Sequence, residues 1–140
     1  LINKKKIKGD IYFDEKFFMY LENNDLCRRV INGGGLIYII PKSKIDHLGG
    51  KAVEQRFADE VEISRNWHWV WSKFYFNQKH FGFLKALKEG IPSYFSSIVK
   101  FLFYFFLNNK TKKKIYFNRA SGFYNAFLGK SSWYRPKLDD

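Results

Sequence analysis

Apolar residues along this chain form short continuous runs and several stretches with helical spacing. Residues 36–40, Leu-Ile-Tyr-Ile-Ile, form a short apolar run that Pro41 stops, which is typical of a buried strand. Before it, the pattern over residues 24–32 indicates a helix, and residues 33–35, all glycine, supply the positive φ that a helix end requires. Residues 1–2 look like the end of another buried strand. Strand, helix and strand in alternation predict an α/β sheet.

A long helix is predicted for the middle of the chain. Residues 52–79 contain no glycine or proline, and apolar residues recur there at helical spacing. Residues 66–71 are aromatic around most of the helix circumference, which indicates burial on several sides or docking at an interface. Arg65, His68 and Lys73 on this helix could contact phosphates, although packing and surface roles are the commoner ones for such residues.

Three further helices are predicted after residue 80, with ends marked by glycine or proline. They cover residues 81–88, closed by Gly90; residues 94–107, opened by Pro92; and residues 115–128, capped by Gly129. The aromatic and basic residues 130–136 that follow form a tail that can fold back on the helices.

The positive charge of the chain is concentrated in its second half. The net charge is +12; residues 1–70 carry 12 basic and 10 acidic side chains, and residues 71–140 carry 13 basic and three acidic ones. The apolar run 101–107 is far shorter than the ~20 residues that span a bilayer, and four lysines follow it within residues 110–114. Two interpretations stay open: a buried core helix beside a solvated lysine turn, and a helix lying in the plane of an anionic membrane surface.

Two carboxylates stand close together before the predicted strand. Glu22 and Asp25 are three residues apart, so a helix would place both on one face. Residues 23–24, both asparagine, are good N-caps and would start the helix there. This arrangement predicts a paired-carboxylate site at a loop-to-helix junction. The simpler interpretation is a set of solvated charges in which Asp25 pairs with Arg28 or Arg29.

Cys27 is the only cysteine. The chain therefore has no intramolecular disulfide framework and no zinc-binding cysteine set. We expect Cys27 to be a small buried residue of the helix that follows Asp25, in a reducing cytoplasmic setting.

Three segments together resemble the C-terminal half of bacterial family 2 glycosyltransferases, which include rhamnosyltransferase-like members. They are FDEKFFMYLENNDLCRRV at residues 13–30, GGGLIYIIPKSKIDHLGG at residues 33–50 and ASGFYNAFLGKSSWYRP at residues 120–136. The resemblance implies a GT-A-like α/β fold, with residues 1–51 as the C-terminal part of the catalytic domain and residues 52–140 as a helical, basic, aromatic-rich extension. In that family the nucleotide-binding half sheet and the Asp-x-Asp metal motif come earlier in the chain, so we expect this sequence to be a fragment.

The resemblance implies inverting transfer of a sugar from a nucleotide-diphospho-sugar donor to the hydroxyl of a saccharide or lipid-linked acceptor, in cell-surface polysaccharide or glycolipid synthesis. Many relatives read Glu-Asp-x-Asp-Leu-Cys, and the Asp after Glu is the base. This chain has Asn23 there, which cannot take a proton. Either Glu22 or Asp25 then serves as the catalytic base, or the activity is lost. Glu22 is favoured as base, with Asp25 orienting the acceptor or pairing with Arg29.

Other residues are assigned to binding by the same resemblance. Asn23, Arg29, Gly49 and Gly50 are expected to contact substrate, and His47 is expected to complete a metal or diphosphate site with Mg²⁺ or Mn²⁺. Without the resemblance, His47 would be an ordinary loop histidine. The expected location is cytoplasmic, peripheral on the inner face of the bacterial plasma membrane. The alternative function is a non-catalytic module that binds a membrane surface or nucleic acid. Nucleic acid is not expected, because the lysines are bunched in one turn and no known nucleic-acid motif is present.

Overall fold

The structure, a computed structural model, describes residues 12–44 and 54–137. These residues form four α-helices: α1 Glu22–Asn32, α2 Ala58–Phe81, α3 Phe83–Phe106 and α4 Lys110–Phe127. A short 3₁₀ turn, Gln55–Phe57, leads into α2. Helices α2, α3 and α4 pack against one another in all three pairings. The segment before α1, and α1 itself, attach to α2 through side-chain contacts.

The predicted α/β fold, with residues 1–51 as part of a GT-A-like domain, is contradicted, because the described residues are helical and contain no strand. Residues 36–40, predicted to be a buried strand, are irregular, and every side chain of this run is exposed; Ile39 is 89% exposed. A β-branched run forms a strand only when another strand pairs with it, and the described residues offer no such partner. The predicted strand at residues 1–2 lies outside the described residues.

The predicted helix over residues 24–32 is confirmed as α1, but its start differs. It begins at Glu22 rather than at the two asparagines, and Leu21 takes the N-cap position without a side-chain cap. Gly34, with φ +80°, supplies the left-handed residue expected after the helix. The expectation that Cys27 is buried is wrong, because its side chain is exposed.

The two helices predicted over residues 81–107 are one continuous helix, α3. Gly90 does not end a helix. A Cβ atom there would lie 2.4 Å from Cε2 of Phe123, so this glycine lets α3 approach α4 closely. Pro92 stands inside the helix, where packing on α2 and α4 outweighs the loss of one backbone hydrogen bond. No helix of the described residues combines the length and hydropathy needed to cross a membrane.

The core is aromatic and centred on α2. Trp67, Trp71 and Phe74 are almost completely buried, and they pack with Phe123 and Ala126 of α4. The tail predicted to fold back does so, because the Trp71 indole N–H donates to the Lys130 carbonyl at 2.9 Å. The predicted long helix is thus confirmed as α2, and its aromatic half is buried by both α4 and the tail.

Candidate functional site

Asp25 joins α1 to the end of α2. Its carboxylate is fully buried and meets three basic side chains. Arg29 Nε lies 2.9 Å from Oδ2, while Lys79 Nζ and His80 Nε2 lie 2.6 Å and 2.8 Å from Oδ1. Arg29 also donates to the Tyr12 carbonyl, which ties the start of the described chain to α1. Asp25 is therefore the centre of a buried ionic cluster.

Asp14 extends this cluster through Lys79. Lys79 Nζ lies 2.7 Å from Asp14 Oδ2, and the Tyr75 hydroxyl donates to the same oxygen at 2.9 Å. The other oxygen of Asp14 accepts from the Lys16 backbone N–H at 3.0 Å, which closes the turn before α1. One lysine of α2 thus bridges two carboxylates that are far apart in sequence.

The cluster determines the protonation of its members. Burial raises the pKa of Asp25, but hydrogen bonds from Lys79, Arg29 and His80 outweigh it, so the pKa lies below its ordinary value. The pKa of Asp14 is lowered in the same way, against its burial, by Lys79 and two further hydrogen bonds. Burial and the Asp14 carboxylate raise the pKa of Tyr75, which stays a neutral donor. Both carboxylates are ionised at neutral pH and engaged in structural contacts.

Glu22 stands in a different environment although it is on the same helix. It is the first residue of α1 and is partly exposed, yet its Oε2 is buried and has no hydrogen-bond partner among the described residues. Buried carboxylate oxygens are normally paired, so an unpaired one calls for an explanation. Of the two predicted carboxylates, only Glu22 retains a free oxygen.

The backbone directly before Glu22 is strained. Tyr20 and Leu21 have φ values of +69° and +67°, a left-handed conformation that residues other than glycine rarely adopt. Each such residue costs on the order of 1–3 kcal/mol, and such positions cluster at functional sites. Contacts with α2 hold the turn in place: Ser72 Oγ donates to the Met19 carbonyl at 2.7 Å, and the Tyr20 ring packs edge-on against Trp69.

The structure brings together only part of the predicted site. Arg29 is engaged by Asp25, and this pairing was one of the roles expected for Asp25. Asn23 is exposed beside Glu22. The residues His47, Gly49 and Gly50 lie outside the described residues. Neither predicted carboxylate lines any of three cavities that lie between the described helices α2, α3 and α4, with volumes of about 320, 80 and 380 Å³.

His68, which could have contacted phosphates, lies in the core. It is fully buried, and its Nε2 lies 2.8 Å from the Tyr134 carbonyl, so this nitrogen carries the proton and donates it. Burial lowers the pKa of His68, which keeps the ring neutral. The ring is out of reach of a phosphate because it is fully buried and its Nε2 proton is donated to the tail, so His68 is a structural residue.

The described residues do not fit the divalent metal that the resemblance implies. Residues 12–44 and 54–137 contain no group of three or more His, Cys, Asp or Glu side chains that could hold a metal ion. Asp14 and Asp25 do converge, but the Lys79 ammonium lies between them and supplies the positive charge. We therefore assign no step of a reaction to a metal.

Sequence reasoning missed the partners on α2. Tyr75 and Lys79 are four residues apart, which places them on one face, and both contact Asp14. His80 follows directly and reaches Asp25. The one local signal is a Lys-His pair in the last turn of a long helix, and it does not indicate which carboxylates lie opposite.

Comparison with known proteins gives no match. No family model, no curated protein and no solved structure is significantly similar to the chain. The resemblance to family 2 glycosyltransferases accordingly depends on the three sequence segments alone.

Proposed function

We propose that this chain contributes the catalytic base of an inverting glycosyltransferase, and that Glu22 is this base. One observation carries the proposal: two consecutive non-glycine residues in the left-handed conformation place Glu22 at the start of α1, and its Oε2 has no partner. A fold maintains strain and an unpaired buried oxygen at one point only when contacts elsewhere offset them. A base must have a carboxylate oxygen that no donor occupies, and of the two carboxylates Glu22, which is partly exposed whereas Asp25 is fully buried, is the one that has it.

The ionic cluster supports this role because it attaches α1 to the end of α2. Asp25 lies three residues after Glu22 and is held by Arg29, Lys79 and His80. A base is effective only when its position relative to the substrate is maintained by surrounding contacts. The contacts of Asp25 thus fix α1 on α2, and Glu22 is the carboxylate of the pair whose Oε2 is not engaged by a hydrogen bond.

Two of the three segments that carry the resemblance contact each other, and this also supports the proposal. Ser132 Oγ in the third segment donates to the Lys16 carbonyl in the first at 2.7 Å, across 116 residues of sequence. The Arg135 guanidinium lies 3.6 Å from the centre of the Phe18 ring. Segments that carry one resemblance thus form one side of the molecule, next to α2.

The chemistry assigned to Glu22 is general base catalysis. Its carboxylate accepts the proton of the acceptor hydroxyl while the hydroxyl oxygen attacks the anomeric carbon from the face opposite the diphosphate, so the configuration inverts. The leaving diphosphate needs positive charge from the enzyme. By the resemblance, His47 completes the diphosphate site, and the nucleotide-binding half sheet with its Asp-x-Asp motif comes earlier in the enzymes of that family. The transfer takes place at the inner face of the bacterial plasma membrane.

The test uses the full natural protein that carries this chain. UDP-, GDP- and dTDP-sugars are supplied one at a time with Mg²⁺ or Mn²⁺ and a membrane extract as acceptor source, and release of nucleoside diphosphate is measured. We expect release with one class of donor and a product of inverted anomeric configuration. Retained configuration, or no release with any donor, would overturn the proposal.

The alternative, a non-catalytic surface-binding module, is favoured by a separate observation, the exposed apolar face of α3. The two functions differ in one respect. A binding module would not release nucleoside diphosphate, and substitution of Glu22 would leave its binding unchanged.

A further inference from the structure

The outward face of α3 is largely apolar, with exposed Lys88 between its first two members. Large side chains recur there at intervals of three, four or seven residues and remain exposed; Leu84 is 81% and Phe106 is 83% exposed. The members of this row, here called the α3 row, are Leu84, Ile91, Phe95, Val99, Leu102 and Phe106. Packing on α2 and α4 uses the opposite side of the helix, where Ala86 and Ser97 are buried. An exposed apolar surface of this extent marks an interaction site.

An apolar groove continues this surface onto α4. It has a volume of about 380 Å³ and runs between Ile98 and Phe101 of α3 and Phe117 and Tyr124 of α4. Both of these α4 residues are more than half exposed. The apolar surface is therefore broader than a single helix face, and it has room for acyl chains between the two helices.

Basic residues border the apolar surface. Helices α3 and α4, residues 83–127, carry eight Lys or Arg and a single acidic residue, Glu89. The first turns of α4 hold four of the lysines, directly after the end of α3. The Lys113 ammonium lies 5.2 Å from the centre of the Phe105 ring, so cation and apolar surface are adjacent. Among these four lysines, Lys114 is ion-paired, with Glu60 at 3.5 Å.

We propose that the α3 row and the first turns of α4 form a docking surface for an anionic phospholipid bilayer. Helix α3 lies in the plane of the membrane, its aromatic side chains enter the acyl boundary, and the lysines contact lipid phosphates. Charge complementarity selects this occupant. A second copy of the chain would bring the lysines in the first turns of α4 close to a second set of like charges. Single-stranded nucleic acid requires a stack of exposed rings between cations, whereas the centre of the α3 row is aliphatic and aromatic. This inference does not depend on the glycosyl-transfer proposal.

Vesicle flotation tests the surface directly. The purified protein is mixed with vesicles of phosphatidylcholine alone or with added phosphatidylglycerol. We expect binding to the anionic vesicles and a decrease with salt. The double variant Phe95→Ser/Phe106→Ser should bind about 10-fold or more weaker. The control is Phe13→Ser, an exposed phenylalanine outside α3 and α4, which should bind like the wild type.

The charge is tested separately. The triple variant Lys110→Gln/Lys112→Gln/Lys113→Gln should lose the preference for anionic vesicles while circular dichroism shows an unchanged helix content. The proposal would be overturned if the double phenylalanine variant bound anionic vesicles as tightly as the wild type does. It would also be overturned if the wild type bound neutral and anionic vesicles equally. Two further results would contradict it. One is a dimer, seen by light scattering, that these substitutions dissociate. The other is a wild-type protein that shifts a labelled oligonucleotide but does not bind vesicles.

Discussion

Nε2 of His80 lies 2.8 Å from Oδ1 of Asp25, and this contact joins the last turn of α2 to the first turn of α1 across 55 residues of sequence. Asp25 also accepts from Arg29 and Lys79, so its buried charge is compensated by several donors. This carboxylate holds α1 on the end of α2, together with the contacts that Met19 and Tyr20 make just before the helix.

Removal of the Asp25 carboxylate should destabilise the protein strongly. Asp25→Ala leaves Lys79, His80 and Arg29 without the anion they share, and loss of one partner from a buried ion pair costs about 3–5 kcal/mol. Urea unfolding measures the free energy of unfolding. Glu15→Ala is the matched control, because Glu15 is an exposed acid of the same segment, and we expect a change below about 0.5 kcal/mol for it. Equal effects of the two variants would show that the cluster is not structural.

Acid should unfold the protein through the same cluster. The folded-state pKa values of Asp25 and Asp14 lie below 3.8, so their contribution to stability is present above pH 3.8 and is lost as the pH falls through the lower folded values. The free energy of unfolding, measured from pH 6 down to pH 2, should therefore fall steeply on the acid side. The variant Asp25→Asn should show a shallower fall, and an identical slope would contradict the assignment.

The start of the tail should open more often when its hydrogen bond to Trp71 is removed, although His68 and Ser132 still hold residues further along. Trp71→Phe retains an aromatic ring but leaves the Lys130 carbonyl without its donor, at a cost of about 1 kcal/mol. We expect faster trypsin cleavage after Lys130, followed by mass spectrometry. Trp69→Phe is the control, since Trp69 is partly exposed on the same helix. Cleavage at the same rate in both variants would mean that this bond does not retain the tail.

The close approach of α4 to α2 should not tolerate a methyl group at Gly122. A Cβ atom there would lie 2.4 Å from the Trp67 carbonyl oxygen, which is backbone and cannot rotate away. Helix propensity alone would make Gly122→Ala stabilising by about 1 kcal/mol. We expect a net loss of about 1–3 kcal/mol instead, because overpacking against backbone dominates. Thermal unfolding measures the loss of stability, and Lys112→Ala on the exposed side of α4 is the control. A higher melting temperature for Gly122→Ala than for the wild type would contradict the close contact between Gly122 and Trp67.

Helical periodicity was the reliable part of the sequence. It predicted α2 and most of α4, because these helices bury side chains that recur at helical spacing. Helix α1 was predicted from the asparagines and glycines at its two ends. The strand predicted for residues 36–40 was wrong, since a strand depends on a partner strand that local sequence does not specify. The helix end predicted at Gly90 was also wrong, because the sequence does not distinguish a glycine that ends a helix from one that permits close packing.

The candidate site was predictable only in part. Glu22 and Asp25 were selected by their spacing, and the pairing of Asp25 with Arg29 follows from positions four apart on one helix. The buried state of Asp25 depends on Lys79 and His80, and no local pattern connects these residues with α1. The left-handed turn at Tyr20 and Leu21 was equally hidden, because neither residue type favours that conformation.

Transfer by the Glu22→Gln variant tests the account most directly. In the full natural protein, with the donor that the wild type uses, we expect the rate of nucleoside diphosphate release to fall about 10²–10⁴-fold, because an amide cannot accept the acceptor proton. The free energy of unfolding should fall by no more than about 1 kcal/mol, since Glu22 Oε2 makes no hydrogen bond and the charge lost from the first turn of α1 contributes only about 0.3–1 kcal/mol. A variant that folds as the wild type does and transfers sugar at nearly the wild-type rate would contradict the role of Glu22 as the base.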